Sequence, residues 1–262
     1  MAFSDVADRH SPLTSRLEAK TRDPDWTLAH FTFVANATTL ASECDIAYSP
    51  AMSVASCRTL PELGFAFVGD SSDLLSTYAA FLADPGSEIS LLVNEGQRAV
   101  VEQAFRVLSV VPKVQMVYRG AGELPDAPQV TALADNDLAA AQGLARAEGV
   151  PFLGFSDSPL QHGPAFGVWE RRRLVAMGTT VVCLPGVAQI DNVVTRREQR
   201  RQGWGTAIVS ALMRAHKRAG RGVFAIVDEQ NAGGLGLLRK LGFEAERSMY
   251  AMSCVLGPGT PD

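Results

Sequence analysis

One short stretch constrains this chain more than any other: Arg200-Arg201-Gln202-Gly203-Trp204-Gly205. It follows an apolar run, Ala188–Thr195, that reads as a strand. It precedes a segment from Thr206 in which Ile208, Ala211, Leu212 and Ala215 recur at helical spacing until Gly220 and Gly222. A strand, an Arg/Gly loop and a helix in that order make a specific piece of chemistry available. The first turn of a helix carries backbone N–H groups with no intrahelical partner and a partial positive charge. A diphosphate placed there accepts several hydrogen bonds at once. Gly203 and Gly205 remove side chains that would hold a phosphate off the backbone, and Arg200 and Arg201 add charge and paired donors. The plainer alternative is a glycine-softened turn beside a solvated arginine face.

Two better-known phosphate motifs do not fit. A P-loop needs G-x-x-x-x-G-K-[ST], which is absent. A dinucleotide fingerprint needs a third glycine where Ile208 stands, and it should open a domain rather than come late. No G-x-S-x-G elbow surrounds Ser156 or Ser158, so a serine hydrolase is a poor reading. No histidine pairs with a cysteine or another histidine at metal-ligand spacing, His162 included, so no metal is expected.

The bulk numbers bound the partners. The chain has 262 residues, enough for two small domains, with 47% hydrophobic and 20% charged residues. A net charge of -4 argues against nucleic acid as a partner. The first twenty residues are polar and of mixed charge, so neither a signal peptide nor a membrane anchor is expected. Cys44, Cys57, Cys183 and Cys254 are scattered without a C-x-x-C pair, as free thiols in a reducing cytoplasm would be.

Along the chain, the Gly/Pro/acid-rich stretch 119–128 reads as a connector, so the expected division is 1–125 and 126–262. No internal repeat is visible. Before the connector, strands are expected at Leu63–Val68, Ile89–Val93 and Val114–Tyr118, with helices at Leu74–Leu82 and Arg98–Leu108. After it, Gln129–Leu133 reads as a strand and Leu138–Ala147 as a helix. Phe166–Glu170 and Leu174–Val182 read as a hairpin turning at Arg171-Arg172-Arg173. Val223–Val227 reads as a strand, Asn231 opens a short helix that Gly242 stops, and Met249–Val255 closes as a strand.

Residues 200–205 resemble the [RQ]-x-x-G-x-[GA] motif of the GNAT superfamily, the N-acetyltransferases that use acetyl-coenzyme A. Ala188–Thr195 resembles the strand before that motif, and Asn231, Leu238 and Leu241-Gly242-Phe243 resemble the second cofactor segment. The likeness covers about residues 128–255. More softly, the whole chain is similar to GNAT proteins whose N-terminal half is a degenerate copy of the fold. The resemblance implies an α/β fold with a mixed sheet, the acyl-CoA N-acyltransferase fold in two GNAT-like halves, and acetyl-CoA as cofactor. It implies that Val193, Val194 and Thr195 offer backbone groups to the pantetheine arm. By the same resemblance Arg200, Arg201, Gln202, Gly203, Trp204, Gly205 and Thr206 cradle the pyrophosphate, Asn231 bonds the cofactor, and Arg239 or Lys240 approaches the 3′-phosphate.

The reaction so implied is direct attack of an amine on the thioester, the acceptor being a small molecule or a peptide. Two positions depart from the family's pattern. The strand position where many members carry a glutamate base holds Gln189, and the position where many carry a tyrosine acid holds Leu238. Asp191, two residues on and on the same face, is the substitute base, and Tyr250, or Ser248, the substitute acid. The loop 151–164, with Phe152, Phe155 and His162, is the expected acceptor side, unless its rings simply fill the core. The departures keep open a decayed, coenzyme-binding regulatory protein, and a longer acyl donor is a third reading. A cytoplasmic monomer or homodimer, free of membrane, is expected.

Overall fold

The structure is a computed structural model. It describes residues 20–34 except 22 and 32, 44–57 except 49 and 50, and 63–255 except 85, 121–123, 153–159, 161 and 185. The chain divides into two compact units, one of residues 1–113 with 248–262, the other of residues 114–247.

In the first unit a short helix α1 (Pro24–Ala29) precedes strands β1 (Cys44–Tyr48), β2 (Ser53–Cys57) and β3 (Leu63–Val68). Helix α2 (Ser72–Leu82), strand β4 (Glu88–Asn94), helix α3 (Glu95–Ala104) and strand β5 (Arg106–Tyr118) follow, β5 belonging to the second unit from Val114 onward. Strands β1, β2 and β3 pair antiparallel; β3 and β4 pair parallel. Phe65, Phe67, Leu75, Ile89, Val101 and Phe105 are buried in one core.

The helix expected from Arg98 begins earlier, at Glu95, and ends at Ala104. The cause is a capping box: the Asn94 side chain accepts the N–H of Gln97 while Gln97 Oε1 accepts the N–H of Asn94. The short strand expected at Val114–Tyr118 is the end of the 13-residue β5. Its first residues are largely exposed and show no alternation, which hid them from a periodicity argument.

The second unit holds β6 (Thr131–Ala132), α4 (Leu138–Ala147), β7 (Ala165–Glu170), β8 (Arg173–Leu184) and β9 (Val187–Thr195). After these come α5 (Trp204–Arg218), β10 (Gly222–Asp228), α6 (Ala232–Lys240) and the start of β11 (Phe243–Val255). Strands β7, β8 and β9 pair antiparallel, and β9 and β10 pair parallel. Arg171 and Arg172 both have positive φ (46° and 66°), as a two-residue hairpin turn requires. The apolar stripe of α5 (Ile208, Leu212, Met213) joins one core with Val175, Ile190 and Leu238. On the other, Leu144 of α4 packs with Leu174, Met177 and Val194.

From Ser248 onward β11 belongs to the first unit, where it pairs antiparallel with β4 from Met249↔Asn94 to Val255↔Glu88. No described helix is long and apolar enough to cross a membrane. Cys44, Cys183 and Cys254 carry thiols, not disulfides.

Candidate functional site

The feature that prepares a site in the second unit is a pairing that stops. Parallel register between β9 and β10 runs from Val187↔Gly222 to Gln189↔Phe224. Strand β9 continues to Thr195 and β10 to Asp228 without further partnering to each other. Against β8, two residues of β9, Asn192 and Val193, stand opposite Gly178 between the pairs Met177↔Val194 and Thr179↔Asp191. This is a β-bulge, and Asn192 takes the left-handed φ of 51° it needs. Asn192 is 3% exposed, and its Nδ2 donates to Thr179 Oγ1 at 2.8 Å. Bulges bend a strand, so β9 turns away from β10 where the backbone of Val193, Val194 and Thr195 follows.

At the end of β9 a 3-10 turn, Arg197–Gln199, leads to Arg201 (φ 68°) and Gly203 (φ 87°), the N-cap of α5. No side chain caps this helix and its first turn holds no acid. The N–H of Ala207 reaches the Gly203 carbonyl at 3.0 Å, which leaves the amides of Trp204, Gly205 and Thr206 in the unpaired first turn. A Cβ on Gly203 would meet nothing within 4 Å, so its left-handed backbone faces open space. Gly205 has a different job: a Cβ there would lie 3.2 Å from Leu237 of α6, so this glycine lets the two helices approach.

The two arginines also separate. The Nε of Arg200 donates to the Thr195 carbonyl at 3.1 Å and its guanidinium pairs with Glu148 at 2.8 Å, tying the loop to the end of α4. Arg201 and Gln202 are exposed beside Gly203. Trp204 packs by its ring against the α5 core, with its indole N–H buried and without a partner. Arg200 is therefore a staple of the loop, and Arg201 is the cation at the helix mouth.

Where the parallel pairing ends, Gln189 is 4% exposed; its Nε2 points to Asp191 Oδ2 at 3.5 Å and its Oε1 is buried with no partner. Asp191 is half-buried, and its Oδ1 accepts the N–H of Asn192 at 2.7 Å. Gln189 and Asp191 are thus brought together at the opening. Leu238 is 4% exposed inside the α5–α6 core, which explains why no acid stands there.

Tyr250 falls in the first unit, where its hydroxyl donates to Glu95 and its ring lies 4.7 Å from the Arg98 guanidinium. The Glu95 carboxylate, with some desolvation, holds the phenol above its ordinary value. Asn231 caps α6, accepting the Gly234 N–H at 2.9 Å. Arg239 and Lys240 are exposed at the opposite end of that helix, where cations complement its dipole. Asp228 Oδ1 accepts the Gln230 N–H at 2.8 Å in the turn before it. Phe152 packs against the α4 core; Phe155, Ser156 and Ser158 lie outside the described residues.

Sequence reasoning missed a buried polar triad beneath the helix. Thr180 donates its hydroxyl to the Pro164 carbonyl at 2.7 Å and meets His216 Nε2 at 2.8 Å. A lone His in an apolar helical stripe gives no signal by itself.

Comparison with known proteins places this geometry. Residues 165–252 match the family described as FR47-like protein. The chain is similar to a structure from Novosphingobium aromaticivorans DSM 12444 assigned to the GNAT family of acetyltransferases, with TM-score 0.69 and 22% identity over 89% of this chain and 99% of that one. It is similar to a GCN5-related N-acetyltransferase from Kribbella flavida, with TM-score 0.62 and 18% identity over 86% and 95% of the two chains. It also resembles a tandem GNAT protein from the clavulanic acid biosynthesis pathway, with TM-score 0.58 and 14% identity over 83% and 84%. No curated protein matches. The chain thus has the fold of the GNAT superfamily in two GNAT-like halves, the second of which contains most of the FR47-like region.

Proposed function

We propose that the second unit binds an acyl-coenzyme A and that the protein transfers its acyl group, acetyl in the first instance, to an amine of a small molecule or peptide. The observation that carries this is the uncapped N-terminus of α5 behind the left-handed, open Gly203, at the end of a strand whose pairing with β10 has ceased. A diphosphate fits the first, since the Trp204, Gly205 and Thr206 amides and Arg201 all favour an anion there. An extended amide-bearing arm fits the second, because unpartnered strand backbone accepts an added strand.

The coenzyme would supply an acyl group activated as a thioester. The chain's own residues would then do two things. The backbone of Val193, Val194 and Thr195 would orient the arm, so that positioning supplies a large share of the rate. Asp191, its carboxylate fixed by the Asn192 N–H, would take the proton of the attacking amine, which Gln189 cannot do.

Calorimetry with coenzyme A tests the binding: no heat at millimolar ligand on the full chain defeats the proposal. Thiol release from acetyl-CoA over an amine and peptide panel tests the transfer, and a thioester panel separates acetyl from longer donors. A second reading, a coenzyme-binding protein without transfer, is favoured by Leu238 in the core and by Tyr250 bound to Glu95. Tight binding with no thiol release on any acceptor would select it.

A further inference from the structure

Gln189 stands opposite Phe224 in the last parallel pair before β9 and β10 part. What lies around it fixes the face of the sheet to which it belongs. Ile190 packs in the core beneath α5, so its neighbours Gln189 and Asp191 point to the other face. Asp191 stands across from Thr179, two residues along β8 from Met177, which packs with Leu144 of α4. Phe152 and Leu160, from the stretch 151–164, join that same core. Gln189 and Asp191 therefore share the face on which the acceptor was expected, at the point where the strands separate.

The Nε2 of Gln189 lies 3.5 Å from Asp191 Oδ2, and this sets the orientation of the carboxamide. Turned over, it would press Oε1 against a carboxylate oxygen, two acceptors with no proton between them. Oε1 is therefore the atom turned from Asp191, and it is buried without a hydrogen-bond partner in a side chain only 4% exposed. A buried carbonyl oxygen left unpaired is costly, so a ligand that brings it an N–H is favoured. The neighbouring carboxylate is half-buried, so the pair reaches the surface through Asp191. Two acceptors of different kinds thus stand side by side, and a nitrogen that meets both must carry two N–H bonds. A thioester carries none. The amides of a pantetheine arm carry one each and would lie along the strand edge rather than over its face. A primary amine carries two.

We propose that Gln189 positions the acceptor, its Oε1 taking one N–H of the attacking amine while Asp191 takes the other. This rests on the reading that the second unit transfers an acyl group from a coenzyme to an amine. The amine lone pair forms the N–C bond as the C–S bond breaks, its electron pair leaving on sulfur. One proton passes from nitrogen to the Asp191 carboxylate. The other hydrogen stays on the nitrogen of the new amide, held by Gln189. A carboxamide suits this role because it accepts a hydrogen bond and moves no proton. A secondary amine has a single N–H, which the carboxylate needs, and so leaves Oε1 unpaired.

Steady-state kinetics with acetyl-coenzyme A decide it, using alkyl, aralkyl and peptide primary amines, each beside its N-methyl derivative. The wild-type chain should prefer the primary amine by at least about tenfold in kcat/KM, because a site built to meet an N–H rejects the analogue that lacks it. Gln189→Met keeps the length of the side chain and removes the acceptor. In it kcat/KM for the primary amine should fall about tenfold to a hundredfold, and the preference over the derivative should shrink by a similar factor. Coenzyme A affinity in calorimetry should match wild type, a thermal melt confirming the fold. An unchanged preference in folded Gln189→Met overturns the proposal. So does a wild-type chain that uses the N-methyl derivative as well as its parent, a comparison that needs no variant. A fall in coenzyme affinity in Gln189→Met would give Oε1 to the pantetheine arm and overturns it too, with acyl transfer intact. No turnover of any amine by the wild-type chain overturns the transfer reading itself, and this proposal with it.

Discussion

Arg200 reaches from the loop after β9 to Glu148 at the end of α4, a 2.8 Å ion pair in which the carboxylate side chain is 8% exposed and the guanidinium 50%. The Nε of the same guanidinium donates to the Thr195 carbonyl, so Arg200 ties the loop down from two of its donor groups. Arg200→Ala should therefore destabilise the second unit by about 1 kcal/mol, the half-exposed arginine limiting the loss. Urea denaturation checks the stability. In calorimetry, coenzyme A affinity should fall less in Arg200→Ala than in Arg201→Ala, the reverse order assigning Arg200 to the phosphates.

Gly178 of β8 lies under α5, where an added Cβ would come 2.5 Å from Ile208 Cγ2 and 3.1 Å from Leu212 Cδ1. Overpacking of this kind costs about 1–3 kcal/mol. Gly178→Ala should lower the urea midpoint accordingly. It should also weaken coenzyme binding, because the helix whose first turn forms the mouth must shift to make room. A stable variant with unchanged affinity would mean that α5 has slack at this contact.

Asp191→Asn tests the base. The asparagine side chain can still accept the Asn192 N–H through its oxygen, so the bulge and coenzyme affinity should persist. Turnover should fall by about two to four orders of magnitude if the carboxylate takes the proton. Equal turnover would move that role to water or to the acceptor itself.

What the sequence made readable was local. The strand, the Arg/Gly loop and helix α5 form one continuous run, and Gly242 stops α6 with its φ of 92°. What stayed hidden was non-local or without period. Strands β1 and β2 are five residues each, and β2 carries small and polar residues, Ser53, Ala55 and Ser56, among its few apolar ones. The bulge at Asn192 depends on how β9 registers against β8, which no window of β9 alone specifies. Arg200 and Arg201 look alike in a motif; their difference is a partner 52 residues away in sequence.

His216 supplies the pH dependence. The Thr180 hydroxyl donates its only proton to the Pro164 carbonyl, so the 2.8 Å contact with His216 must be an Nε2–H donated to Thr180. Nδ1 then carries the bare lone pair, buried and without a partner, and the ring is neutral. Burial, reinforced by the Arg221 charge, pulls its pKa down from 6.5 to about 4. The unfolded chain binds the proton first, so between those values it holds more protons than the native state. Stability therefore rises with pH across that window and is lost on acidification from 6.5 towards 4. The full effect is about 3 kcal/mol. His216→Gln can still donate to Thr180 yet does not titrate, so its urea midpoint should fall less steeply over the same pH range. Parallel profiles for the two proteins would show that the acid sensitivity of the fold arises at another group.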